Sequence, residues 1–255
     1  MTAPYKWTLG FADAYASSYG SDVADYLRWV IEPSLAALEK RREELAQAAE
    51  DDSVFHFDLS DHVRLIRRTY MTFALAIQSL WEQQLRSYVT TCASGYSIEG
   101  VSPYKLESAK WGDELNEVFY NVRGLRLDGF DSYPALTQLQ MLGNVCRHGA
   151  GESARRLHKR HPELWPAPLF FPWEKTERIA PPVEHIQISL ELLTRYVSAV
   201  ALFWLDIERH GLDSLVKNQP DLQKAIARLL DDRIPLLEVV TPSPRCETPA
   251  PSPRA

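Results

Sequence analysis

The sequence is poor in the devices that announce a chemistry. It has three cysteines, Cys92, Cys146 and Cys246, which are odd in number, far apart and without short paired spacing. That pattern speaks against a disulfide framework and against a zinc site built on cysteine, and a reducing, cytoplasmic setting is the expectation. No stretch reaches the roughly 18 uncharged apolar residues that span a bilayer. The longest candidate, Tyr196 to Leu205, is short and lies between Arg195 and Asp206. MTAPYKWTLG has neither the basic start nor the apolar run of a secretory leader. Internal repeats and runs of alternating strands are also missing, which excludes solenoids and sheet proteins. GAGES lacks the Lys of a phosphate loop, no serine sits in a nucleophile elbow, and no cysteines form a redox pair. No cofactor is expected.

What is present is the composition of a folded protein. Of 255 residues, 45% are hydrophobic and 24% charged, enough to bury a large core without disulfide or metal staples. A formal charge of -6 opposes a wholesale coating of nucleic acid and confines any such contact to a local basic patch.

Apolar spacing predicts an all-α helical bundle, a single domain over residues 1–240 followed by a disordered Pro/Ser-rich tail, 241–255. A first helix starts near Asp22 and is broken or kinked by Pro33. A second, Ser34 to Glu50, carries mixed charges on a solvated face. After DDSVFHFDLS, with Ser60 as the expected cap, Asp61 to Cys92 keeps Val63, Ile66, Tyr70, Phe73, Ile77, Trp81, Leu85, Tyr88 and Cys92 on one stripe that must be buried. Leu106 to Asn121 reads as one helix. Val183 to Arg209 reads as a long, broadly apolar core helix ended by Gly211, and shorter helices around Pro220 follow to Asp231. Between His161 and Pro182 the chain is proline-rich, and its Trp165, Phe170, Phe171 and Trp173 are expected to pack over the bundle rather than to stack on bases.

The stretch from Gln138 to Leu157, QLQMLGNVCRHGAGESARRL, concentrates the polar residues of interest. On a helix from about Ala135 to His148, Gln140, Asn144 and His148 stand four apart and form a polar stripe, while Leu139, Leu142 and Cys146 pin another face to the core. Gly149 and Gly151 then make a joint before a basic helix. Five basic residues, Arg147, Arg155, Arg156, Lys159 and Arg160, fall within fourteen positions. Arginine offers a fork of donors to phosphate oxygens and His148 can move a proton near neutral pH, so the stretch suits a phosphodiester. The same residues also suit ordinary helix capping beside a solvated face. His158 and His161 stand three apart, a spacing that alone makes no metal site, and no metal is expected.

Three segments together resemble the HEPN superfamily of helical bundles. They are RRTYMTFALAIQSLWEQQLRSYV with its central acid, a later helix ending Asn-Val-Cys-Arg-His-Gly, and the closing helix YVSAVALFWLDIE with its aromatic pair. The likeness covers about residues 60 to 210. It extends to bacterial branches in which Asn, a basic residue, His and Gly precede a Gly-x-Ser helix and a Pro-Glu-Leu segment. The resemblance implies RNA binding or metal-independent endoribonuclease activity in a toxin or defence setting, a homodimer through the long helices, and an antitoxin or other defence-system protein as partner. It implies His148 as general acid or base, Arg147 on the phosphate and Asn144 as the orienting residue, with Arg155, Arg156, Lys159 and Arg160 binding RNA. The family's Arg has no counterpart, because Gly143 occupies its position. A noncatalytic module that binds a partner protein is the alternative.

Overall fold

The computed structural model describes residues 13, 16–94, 98, 100–165, 182–215 and 220–241. Within them the chain is helix and connecting turn, with no strand, as the apolar spacing predicts. The expectations for residues 1–12, for Phe170, Phe171 and Trp173, and for the tail from 242 onward lie outside the described residues.

Helix α1, Ala16–Tyr26, passes through a π-helical turn, Leu27–Ile31, into α2, Glu32–Asp51. Pro33 therefore does not break the helix but stands in the first turn of α2, directly after the π-turn. The wider turn, with the Glu32 amide bonded to the Leu27 carbonyl, absorbs one extra residue just where a proline ring removes a donor. The long helix α3, Phe55–Ala93, begins five residues ahead of Ser60. Its start is prepared by Asp52, whose carboxylate accepts the Val54 amide at 2.9 Å. Helices α2 and α3 run side by side, tied where His62 meets the Leu38 carbonyl at 2.8 Å.

The expected stripe of α3 is buried from Ile66 onward, at Phe73, Ile77, Trp81, Leu85, Tyr88 and Cys92, with Val63 and Tyr70 half-buried. The segment read as one helix after Leu106 is two, α4, Pro103–Ser108, and α5, Asp113–Arg123. Ser102 caps the first through the Lys105 amide at 3.2 Å, and Gly112, at φ 110°, makes the corner between them. Helix α6 is Tyr133–His148 and α7 is Glu152–Arg160.

The core helix α8, Leu190–Leu215, starts later than its apolar pattern suggests and runs through Gly211. It buries Leu193, Tyr196, Val200, Phe203, Trp204 and Ile207 among α1, α3, α6 and α9, the last being Gln223–Val240. A Cβ at Gly20 would stand 2.8 Å from the Ala201 Cα, so a residue without a side chain is what lets α1 lie against α8. Helix α9 is one continuous element through Pro235, where short helices ending at Asp231 are expected from the sequence.

A buried ion pair fastens the start of the described chain to the end of α5. Arg123 and Asp13 meet at 2.7 Å with both side chains almost wholly buried, and the Tyr88 hydroxyl donates to the same carboxylate at 2.7 Å. The Arg123 guanidinium lies over the Tyr88 ring at 5.4 Å.

Candidate functional site

Helix α6 has two working flanks. Along one, Tyr133, Thr137, Gln140, Met141 and Asn144 recur at helical spacing and line a groove of about 370 Å³. Helix α7 closes the far side with Ser153, Arg156 and Arg160, and the α4–α5 corner closes the end with Trp111, Gly112 and Asp113. Two of the residues named for the stripe, Gln140 and Asn144, therefore share one cavity with two of the four named for nucleic acid.

The orientation of α7 explains which basic residues reach the groove. Ala154 and Leu157 are fully buried and press the helix onto α6. Ser153, Arg156 and Arg160, three and four apart, then fall on the flank beside the groove. Arg155 is turned to Glu152 at 2.8 Å, and Lys159 is exposed outside the groove lining. Beyond α7, His161 contacts Gln138 at 2.9 Å and Glu163 at 3.0 Å, which locks the end of the helix to α6. His158 meets the Trp165 ring edge-on at 5.2 Å, so the two histidines serve packing and anchoring. Among the described residues no group of three or more His, Cys, Asp or Glu could hold a metal ion.

Much of the hydrogen-bonding capacity in the groove is unspent. The carboxamides of Gln140 and Asn144 meet no partner within the described residues. The Nε1 of Trp111 and the hydroxyl of Thr137 are buried with no partner among the described residues. Among the described residues the Arg160 guanidinium faces only the Met141 sulfur, at 3.8 Å, and Arg156 is 3.8 Å from Glu152. Trp111 and Tyr133 stack at the wall, with centroids 5.4 Å apart and planes 17° from parallel. Asn116 holds this pair by donating to the Tyr133 hydroxyl at 3.2 Å.

The other flank of α6 belongs to the fold. Gly143 is buried against α3, and a Cβ there would stand 3.0 Å from the Gln78 Cγ. Arg147, one turn later, donates to the Gln78 side-chain Oε1 at 3.3 Å. Gln78 donates in turn to Glu82 at 2.6 Å, and Glu82 accepts Arg86 at 2.8 Å. Arg86 also donates to the carbonyls of Leu106, Glu107 and Ala109, closing the end of α4. Glu82, the acid of the α3 segment, is thus part of a chain that ties α3, α4 and α6 together.

The three residues expected to cooperate in catalysis therefore point to three places. Asn144 lines the groove, Arg147 is bonded to α3, and His148 is exposed at the end of α6 outside the groove lining. Sequence reasoning missed Trp111, Tyr133 and Thr137. The in-phase spacing of Tyr133, Thr137, Gln140 and Asn144 was available as a signal, whereas nothing local to Trp111 indicates that it stacks on Tyr133. No family model matches the chain, and no curated protein or solved structure matches it. Among the described residues no helix is long and apolar enough to cross a membrane.

Proposed function

We propose that the chain binds single-stranded RNA in the groove between α5, α6 and α7. The observation that carries this reading is that two carboxamides without a partner among the described residues and the guanidiniums of Arg156 and Arg160 face one cavity beside a stacked aromatic pair. In a chain of net charge -6, phosphate is drawn to that place rather than to the surface at large. A cavity of about 370 Å³ lies within the range of small-ligand sites and suits one splayed-out nucleotide better than a duplex.

The test is fluorescence anisotropy with a labelled single-stranded RNA of mixed sequence at low salt. Binding by the wild type and its loss in Arg156→Ala/Arg160→Ala support the reading. No binding by folded wild-type protein contradicts it and favours a module for a partner protein.

Metal-independent cleavage is the second reading, favoured by the exposed imidazole of His148 one turn beyond Asn144. It predicts RNA cutting in EDTA that His148→Ala abolishes. The toxin or defence setting and an antitoxin partner belong to that reading. The homodimer through the long helices would place its apolar contact at exposed Phe57 and Leu65 on α3, and sedimentation velocity reads it.

A further inference from the structure

The groove carries a more specific assignment that rests on the RNA-binding reading. We infer that Gln140 and Asn144 read an adenine base. Both line the groove, stand one turn apart on α6, and have carboxamides with no partner among the described residues. A carboxamide presents one acceptor beside donors, and it pairs in bidentate fashion with an amino group flanked by a ring acceptor. Adenine carries such an amino group with an acceptor on each side, N1 and N7, so two carboxamides can each take one edge. Cytosine has that pattern on one side only. Guanine offers two adjacent acceptors on its outer edge, which call for arginine, and uracil has a single ring N–H between its carbonyls, so only one carboxamide can pair with it in this way.

The division of labour follows from position. Gln140 and Asn144 lie on α6, while the guanidiniums of Arg156 and Arg160 lie across the groove on α7. The α7 side takes the phosphate and the α6 side takes the base edge. Asp113, at the end of the groove, disfavours a second phosphate there and limits the site to one nucleotide.

The experiment compares labelled octamers of A, C and U and an alternating UG octamer on the full-length protein. Octamers of 7-deaza-adenine, which lacks N7, and of inosine, which lacks the amino group, complete the panel. Oligo(A) is expected to bind about tenfold tighter than the others, the discrimination typical of bidentate base contacts. Both analogues remove that margin, and in Asn144→Ala and Gln140→Ala the ratio of oligo(A) to oligo(U) affinity falls toward one. The analogues test the assignment without touching the fold. Equal affinity for all octamers overturns the adenine assignment and leaves RNA binding standing. A preference for another base, or an adenine preference that survives in Gln140→Ala/Asn144→Ala, also overturns it. Absence of binding to every octamer overturns the RNA reading itself.

Discussion

The Cβ that Gly143 lacks would stand 3.0 Å from the Gln78 Cγ and 3.1 Å from its Oε1. Gln78 is held from two sides, by Glu82 at 2.6 Å and by Arg147 at 3.3 Å, so it has little freedom to move away. Gly143→Arg is expected to cost about 1–3 kcal/mol through overpacking, and more if α3 and α6 separate. Gly143→Ala gains about 1 kcal/mol of helix propensity and is expected to lose more than that by displacing Gln78. Urea unfolding measures both. A Gly143→Arg protein as stable as the wild type would show that the crossing of α3 and α6 is looser than described.

The Asp13–Arg123 pair, at 2.7 Å and almost wholly buried, behaves differently when one partner is removed than when both are. Arg123→Leu strands a buried carboxylate and is expected to cost about 3–5 kcal/mol, whereas a double replacement with apolar residues recovers much of the loss. Urea midpoints of the two single variants and the double variant test this. A double variant as unstable as the sum of the singles would mean that packing of Arg123, rather than its charge, dominates.

Burial lowers the pKa of His210 from its ordinary value of 6.5, and neighbouring Arg209 acts in the same direction against Asp206 and Asp213. The neutral ring belongs to the folded state, while the unfolded chain takes up a proton first as the pH falls. The His210 contribution is therefore fully present above pH 6.5 and is lost as the pH drops from there through the folded-state value. Thermal unfolding across pH 8 to 5 is expected to show a decline in that window that is shallower in His210→Gln. Equal slopes for the two proteins would remove His210 from the account.

Burial also pushes the Cys146 thiol up to about 12 and the Cys92 thiol up to about 11. Neither is a nucleophile at neutral pH in the folded protein. Alkylation with iodoacetamide at pH 8, followed by peptide mass spectrometry, should leave both unmodified until urea is added. Fast labelling of either in the native state would contradict the packing around it.

The long amphipathic helices were legible because their apolar residues repeat over many turns. The stripe from Ile66 to Cys92 and the broad face of α8 are buried as their spacing predicts. Boundaries were less legible, since they depend on single contacts. Asp52 rather than Ser60 prepares the start of α3, and a π-turn immediately before Pro33 lets the chain continue as a helix. The polar stripe of α6 was readable as far as Gln140 and Asn144. Its division of roles was not, because only the crossing with α3 shows that Gly143 and Arg147 lie on one flank while Asn144 lies on the other. Five clustered basic residues looked alike in sequence. Packing of Ala154 and Leu157 sends Arg156 and Arg160 to the groove, while Glu152 takes Arg155.

The central claim is that Arg156 and Arg160 hold phosphate in a single-stranded RNA. The most direct measurement is the slope of log binding constant against log salt concentration for the wild type and for Arg156→Ala/Arg160→Ala. Each phosphate neutralised on a single strand contributes about 0.7 to that slope, so loss of the two arginines that share one phosphate should flatten it by about 0.7. Arg147→Ala, whose side chain is bonded to Gln78, should leave the slope nearly unchanged. A double variant with the wild-type slope, or a greater loss in Arg147→Ala than in the double variant, would contradict the account.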